Sequence, residues 1–130
     1  MAEGYDPNRS RVSDDKMRIW KSNTITGDLN EVPGIGPAAI KALAKSDNPD
    51  DRITNTYQLF GKFLMLKGPD DIPTSEHTER MWYWLKNRGI NSCRSGIVRC
   101  IAEKASTFFP GLYDANDYAD SDEENDGDDN

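Results

Sequence analysis

The sequence predicts an all-α protein, and three observations support this. Apolar residues recur at helical spacing, most clearly over 92–109. No segment shows the two-residue alternation of apolar and polar residues that is typical of a half-buried strand. Loops rich in Asp, Asn, Pro and Gly separate the apolar segments, at 46–53 and 68–75. With 130 residues, the chain is long enough for one core, so we expect a compact bundle of five to six helices.

The first helices are predicted from their capping signals. Ser13 is a suitable N-cap for a helix over 13–20, with two aspartates in its first turn. Thr26 is a candidate cap for a short helix over 26–32, and a second short helix is expected over 37–45. These two short helices form the halves of a predicted helix-hairpin-helix.

The later helices have clearer ends. Gly89 is placed to end a helix over 75–87, because glycine suits the position just after a helix. Asn91 or Ser92 is placed to cap the last helix, which reaches about residue 109 and stops at Pro-Gly.

The hairpin is the segment with the most specific chemistry. Gly34 and Gly36 bracket Ile35, which we expect to anchor the turn in the core. Glycine accepts positive φ, and its missing Cβ lets a phosphate approach the backbone N–H groups. Pro37 suits the first position of the second helix, whose N-terminus favours an anion, and Lys41 follows one turn later. An ordinary turn between two packed helices is the alternative.

Charge divides the chain into parts. The net charge is −7, but nine of the 23 acidic residues lie within 114–130, which contains no basic residue. Residues 1–113 therefore hold 14 acids and all 16 Lys and Arg, a net charge of +2. We expect a flexible N-terminal arm over 1–12, a helical domain over 13–113 and a disordered acidic tail over 114–130. The tail either aids solubility or competes for a phosphate-binding surface.

Several classes of protein are excluded or disfavoured. The mean hydropathy of −0.82 and the lack of a long apolar run argue against a membrane span, and the polar N-terminus does not resemble a signal peptide. Cys93 and Cys100 are too far apart on one helix to bridge, which indicates a reducing compartment. His77 is the only histidine, and we expect it to be exposed. No metal cluster, cofactor site or activated nucleophile can be assembled, so catalysis is not expected.

The segment 54–66 is the most apolar helix, and its apolar residues cover more than one face. Either this helix is central to the monomer, or one side of it is buried against another chain. Gly61 lies in its interior, where glycine is unfavourable, which indicates a close approach to the backbone. The predicted partner-facing residues are Tyr57, Phe60, Gly61, Met65 and Leu66.

Four blocks of sequence carry a family resemblance. They are Gly34-Ile35-Gly36, the run from Tyr57 through Gly61-Lys62-Phe63-Leu64-Met65-Leu66-Lys67, then Trp84-Leu85-Lys86, and Asn91-Ser92 at the start of the last helix. In this order, over about residues 13–109, the chain resembles the barrier-to-autointegration factor family. The loops 46–53 and 68–75 are longer than in that family, the acidic tail is extra, and Ala42 occupies a position where a basic residue is expected.

The resemblance implies a small all-helical protein that dimerises and binds double-stranded DNA without sequence preference, and so bridges or compacts DNA. It also implies a nuclear (and cytoplasmic) location and nuclear-envelope or chromatin proteins as partners. Binding is expected to go through phosphates, since two helix N-termini and a hairpin fix position without reading bases. The expected DNA contacts are Lys16, Arg18, Gly34, Ile35, Gly36, Ala38, Lys41, Asn91, Ser92 and Arg94.

Two non-catalytic alternatives stay open at this point. In the first, the chain is a monomeric helix-hairpin-helix adaptor of a DNA-repair complex. In the second, the hairpin is purely structural and the chain is a protein-interaction module that acts through its apolar helix. Oligomeric state separates the first alternative from a bridging dimer, and duplex binding separates the second from both.

Overall fold

The computed structural model describes residues 3–114, and within that range the protein consists of five α-helices, three 3-10 turns and no strand. The all-α prediction is therefore confirmed. Residues 115–130, which hold nearly all of the predicted acidic tail, lie outside the described range. The helices are α1 (Asp14–Ser22), α2 (Pro37–Ala44), α3 (Thr56–Leu66), α4 (Thr74–Asn87) and α5 (Arg94–Phe108), and the 3-10 turns are Pro7–Arg9, Leu29–Glu31 and Pro49–Asp51.

The last helix, α5, lies at the centre of the bundle. It packs against α1, α3, α4 and the N-terminal 3-10 turn. The apolar positions predicted for it are buried as far as Ala105, because their helical spacing puts them on the faces that those neighbours cover. Phe108 and Phe109 depart from the prediction, since they are 57% and 51% exposed. The centre of the bundle therefore ends one turn before α5 does.

The helix ends show which capping signals determine the structure. Ser13 caps α1 as expected, accepting a hydrogen bond from the N–H of Lys16 at 3.1 Å. Gly89 follows α4 with φ +89°, the left-handed conformation expected of it. The cap predicted for α5 is wrong. Cys93 precedes α5, with φ +62°, so neither Asn91 nor Ser92 takes that position.

The first half of the predicted hairpin is shorter than expected. It is a single 3-10 turn, Leu29–Glu31, capped by Asp28 rather than by Thr26. Thr26 instead donates its N–H and its hydroxyl to the carboxylate of Glu31, at 2.9 and 3.0 Å. The hairpin thus joins one 3-10 turn to one α-helix, and two α-helices flanking the turn are not observed.

Glu31 ties the hairpin to the rest of the bundle. Besides Thr26, its carboxylate accepts the N–H of Gly27 at 3.1 Å and the hydroxyl of Thr56, the first residue of α3, at 2.7 Å. Burial raises the pKa of Glu31, but these hydrogen bonds outweigh burial and leave the pKa below its ordinary value. An ionised Glu31 therefore holds the hairpin against α3.

Residues 3–12, which we call the N-terminal segment, pack against α4 and α5, whereas a flexible arm was expected for 1–12. The N–H of Tyr5 donates to the carboxylate of Glu79 on α4 at 2.6 Å. The N–H of Asp6 donates to the hydroxyl of Ser95 on α5 at 3.1 Å. Both contacts join residues more than 70 positions apart, so local composition gave no indication of them.

His77 is buried, and the expectation of an exposed side chain is wrong. Its ring stacks on Phe63 with 4.0 Å between centroids, and its Nε2 lies 2.7 Å from the carbonyl oxygen of Phe63. Burial lowers its pKa, the hydrogen bond to Phe63 opposes that effect, and the positive charges of Lys67 and Arg80 lower the pKa further. A neutral imidazole can donate its Nε2–H to this carbonyl. His77 is therefore explained as a core residue that packs between α3 and α4.

Lys104 is a buried cation that completes the end of α1. Its Nζ donates to the carbonyl oxygens of Trp20 at 2.7 Å and of Lys21 at 3.2 Å, and it also contacts the carbonyl of Asn23. These carbonyls belong to the last turn of α1 and its C-cap. A cation is favourable there because it meets the negative end of the helix dipole. Burial lowers the pKa of Lys104, and the negative charge of Glu31 opposes that effect.

Candidate nucleic-acid interface

The hairpin packs against the beginning of α5 through Gly34. This residue has φ +96°, and an added Cβ would lie 3.1 Å from Cγ1 of Ile97 and 3.4 Å from Cβ of Cys93. Glycine is therefore required at position 34 by its conformation and by its packing. Ile35 is buried, as predicted, and its N–H donates to the carbonyl of Val32 at 3.0 Å. Ile35 thus anchors the turn, and its N–H already has a hydrogen-bond acceptor within the protein.

Gly36 is a different kind of glycine. Its φ of −111° is open to any residue, so tolerance of a positive φ, one of the two reasons expected for glycine at both positions, does not apply here. An added Cβ would meet nothing within 4 Å. Gly36 is the N-cap of α2 and offers no side chain to cap it, although Ser, Asp or Asn there would. Neither conformation nor packing within the described protein accounts for glycine at this position.

Backbone donors are concentrated at this point of the chain. The first hydrogen bond of α2 runs from the N–H of Ile40 to the carbonyl of Gly36, at 3.0 Å. Within residues 3–114, no acceptor is found for the N–H groups of Gly34, Gly36, Ala38 and Ala39. The N-terminus of α2 adds the positive end of a helix dipole. Together these groups form a surface suited to an anion.

These donors line one groove of about 360 Å³, which we call the hairpin groove. The other wall of the groove is the segment between α4 and α5, where Asn91 and Ser92 are both exposed. The structure thus brings together five of the predicted contact residues. They are Gly34, Gly36, Ala38, Asn91 and Ser92, and the rest of the lining is Pro37, Ala39, Gly89 and Ile90.

Two predicted basic contacts lie near the hairpin groove without lining it. Lys41 is exposed, one turn into α2. Arg94 is half-buried, because its guanidinium stacks on Trp82 at 4.3 Å and donates to the carbonyl of Ile90 at 2.7 Å. Arg94 was expected to contact DNA directly, but these contacts hold its side chain against α4. It lines a neighbouring groove instead.

The predicted contacts on α1 are not brought to the hairpin groove. Lys16 is exposed in the first half of α1. Arg18 pairs with Asp15 at 3.0 Å and lines a separate groove with Arg99 and Glu103. The carboxylates of Asp15 and Glu103 pair with Arg18 and Arg99 and so compensate part of the positive charge on this side of α1.

Of the five residues predicted to face a partner, Tyr57, Phe60 and Gly61 line one groove of about 630 Å³, which we call the apolar groove. Tyr57 is 59% exposed. Phe60 is only 8% exposed and stacks on Trp20 with 6.3 Å between ring centroids, so it belongs to the core. Met65 is 70% exposed. Neither Met65 nor the half-buried Leu66 lines the groove. An added Cβ at Gly61 would meet nothing within 4 Å, so no part of residues 3–114 approaches it closely.

Sequence reasoning missed part of this face. Leu64, Phe108 and Phe109 also line the apolar groove, and the last two are more than half exposed. Tyr57, Gly61 and Leu64 follow the i, i+4, i+7 spacing of one helical face, which was the available signal. The contribution of α5 depends on where α3 crosses it, and periodicity alone does not specify that crossing.

Among residues 3–114 no group of three or more His, Cys, Asp or Glu side chains could hold a metal ion. Over the same range no helix has the length and apolar character needed to cross a membrane.

Comparison of the chain with protein-family models, curated proteins and solved structures gives no match. The proposed function therefore rests on the geometry of the hairpin groove and the apolar groove.

Proposed function

We propose that this protein binds the phosphate backbone of double-stranded DNA without sequence preference and bridges duplexes as a homodimer. The observation that carries the proposal is Gly36, a glycine at the N-cap of α2 with an ordinary φ and open space around its Cα. Nothing in the described protein requires the absence of a side chain there. A phosphate that must approach the backbone closely does require it.

The chemistry of the hairpin groove favours an anion. Backbone N–H groups that have no acceptor within residues 3–114 and the N-terminus of α2 present partial positive charge. Asn91 and Ser92 add neutral hydrogen-bonding side chains on the opposite wall. Nine residues of the described chain line the groove, and none of these carries a carboxylate, which would repel a phosphate. A backbone nest of this kind is a common way to bind phosphate.

The same lining favours the DNA backbone over base edges. Its donors are main-chain groups and two short side chains, and none is long enough to reach into a DNA groove. Contacts of this kind fix position and carry no sequence information. The net charge of +2 over residues 1–113 is compatible with a polyanion. Binding without sequence preference is the consequence.

The positions of the two grooves, at opposite ends of α5, support the bridging part of the proposal. The hairpin groove adjoins the start of α5, whereas the apolar groove includes Ala105, Phe108 and Phe109 at its end. The 15 residues of α5 separate these ends by about 20 Å, at 1.5 Å per residue. Two copies that join through their apolar grooves would keep both hairpin grooves exposed. The nuclear location and chromatin partners implied by the family resemblance belong to the same proposal.

The proposal is tested by titrating two duplexes of equal length and unrelated sequence with the full chain at several salt concentrations. We expect the logarithm of the binding constant to fall linearly with the logarithm of salt concentration, because phosphate contacts release counterions. The two duplexes should bind with similar affinity. Failure to bind either duplex, or a thousandfold or greater preference for one of them at fixed salt, would overturn the proposal.

A further inference from the structure

A second groove, of about 440 Å³, adjoins the hairpin groove and shares Asn91 and Ser92 with it. We call it the arginine groove, because three arginines line it. Two of them, Arg9 and Arg11, come from the N-terminal segment, and the third is Arg94 at the start of α5. The N-terminal segment was not expected to contribute to a site.

The N-terminal segment is held in a fixed position beside α5. An added Cβ at Gly96 would lie 2.6 Å from the carbonyl oxygen of Ser10, so only glycine permits this approach. Ser10 is buried, and its hydroxyl oxygen accepts a hydrogen bond from Arg99 at 3.0 Å. Together with the contacts of Tyr5 and Asp6, this packing gives Arg11 a defined place at the groove.

The backbone on both walls of the arginine groove adopts a rarely used conformation. Arg11 has φ +57° and Cys93 has φ +62°, and these are the two residues other than glycine with positive φ in the described chain. L-residues avoid this region unless the surrounding structure requires it. Such conformations concentrate at ligand-binding sites, where they aim particular groups. Here they occur at one of the three arginines and at the cap of α5.

The three arginines differ in how they are held. The guanidinium of Arg94 is fixed by stacking on Trp82 at 4.3 Å. Arg9 forms an ion pair with Asp6 at 3.5 Å, so part of its charge is compensated. Arg11 is exposed. The positive charge of Arg11 is therefore the one most open to a ligand that enters the groove.

We propose that the arginine groove is a second phosphate position, which binds further backbone phosphates of the same duplex that occupies the hairpin groove. The inference rests on the proposed function, because the shared residues Asn91 and Ser92 make the two grooves one continuous surface. Guanidinium groups bind phosphate oxygens with two parallel hydrogen bonds, which suits arginine to this position. Arg11 is the principal contact, and Arg94 supplies a fixed charge.

The test uses Arg11→Asn in the full chain. Asparagine tolerates the left-handed conformation better than most residues, so the fold should be retained. Loss of one phosphate contact should reduce the slope of log binding constant against log salt by about 0.9 and weaken duplex binding about threefold to tenfold near physiological salt. Arg11→Lys keeps the charge and should keep the slope.

The matched control is Arg52→Gln, which removes the same charge from an exposed arginine outside both grooves. This control should leave the slope unchanged. If Arg11→Asn behaves as Arg52→Gln does while the wild-type chain binds duplex DNA, the inference is overturned and the proposed function stands. If the wild-type chain binds no duplex, both fail together. A slope that falls as much in Arg11→Lys as in Arg11→Asn would also contradict a phosphate contact.

Discussion

The two ends of α5 carry opposite chemistry. At its start, backbone N–H groups, short polar side chains and Arg94 line two connected grooves. At its end, Phe108 and Phe109 lie more than half exposed beside Tyr57 of α3. One central helix thus presents a surface suited to an anion and a surface suited to apolar contact.

Two glycines make this comparison testable. Gly36 lies at the polar end and Gly61 lies in the apolar groove. Neither has a left-handed φ, and at either position an added Cβ would meet no atom of residues 3–114 within 4 Å. The same substitution at each position therefore adds the same charge and volume to opposite ends of the molecule while sparing the fold.

The largest expected effect is that of Gly36→Glu. A side chain at this position blocks the approach of a phosphate to the backbone, and a carboxylate repels it. We expect duplex affinity to fall at least about hundredfold, or about 2.7 kcal/mol, in an anisotropy titration. Circular dichroism should show unchanged helix content. Gly36→Ala adds only a methyl group and should fall between the wild-type chain and Gly36→Glu. Unchanged affinity in a folded Gly36→Glu protein would remove the hairpin from the site.

Gly61→Glu should weaken association through the apolar groove at the end of α5. We expect the wild-type chain to sediment as a dimer at micromolar concentration and Gly61→Glu to weaken that dimer about thirtyfold, or about 2 kcal/mol, because a charge enters an apolar contact. Affinity for a duplex that spans one site should be retained, and bridging of two duplexes should be lost. The variant should fold well, since Gly is among the poorest helix formers and Glu among the better ones. A wild-type chain that remains monomeric at high concentration would favour the adaptor alternative.

Deletion of residues 114–130 should have an intermediate effect on the polar end. It removes nine acidic residues and changes the net charge from −7 to +2. We expect duplex affinity to rise about tenfold at low salt, and this gain to shrink as salt rises, because screening weakens both the tail's repulsion and the DNA's attraction. A tail in which the acids are replaced by their amides should behave as the deletion does. Equal affinity of the truncated and full chains at low salt would leave the tail with no part in binding.

The smallest expected effect concerns Glu31, which holds the hairpin. Its pKa is lower in the folded protein than the ordinary value of 4.5, so its contribution to stability is present above that pH and is lost as pH falls through the folded pKa. Glu31→Gln should lower the free energy of unfolding by about 1 kcal/mol at pH 7. Urea denaturation of the wild-type chain and of Glu31→Gln, at pH 7 and at pH 3, checks this. If the two proteins differ in free energy of unfolding by the same amount at pH 7 and at pH 3, the ionised carboxylate is not responsible.

Much of the polar end could be predicted from the sequence, because its signals are local. The spacing of Gly34 and Gly36 and the position of Pro37 indicate a turn before a helix, and the structure has one there. Ser13 and Gly89 mark helix ends for equally local reasons. Each of these features depends on a few neighbouring residues, so no knowledge of the packing is needed.

The rest depends on contacts between distant segments. The N-terminal segment docks because Gly96 admits the carbonyl of Ser10, 86 positions earlier in the chain. His77 is buried because α4 brings it against Phe63. Phe60 is buried because Trp20 of α1 stacks on it, whereas Phe108 is exposed at the end of α5. Helical periodicity identifies a face, but it does not say which neighbouring helix covers that face.

The most direct test of the phosphate site uses the two native cysteines. Cys93 is exposed at the start of α5, with its Cβ close to Gly34, whereas Cys100 is buried and burial raises the pKa of its thiol to about 12. A thiol reagent should therefore modify Cys93 selectively. We expect saturating duplex DNA to slow this modification in the wild-type chain and to have no effect in Gly36→Glu. An unchanged rate of modification in a wild-type chain that is bound to DNA would place the DNA elsewhere.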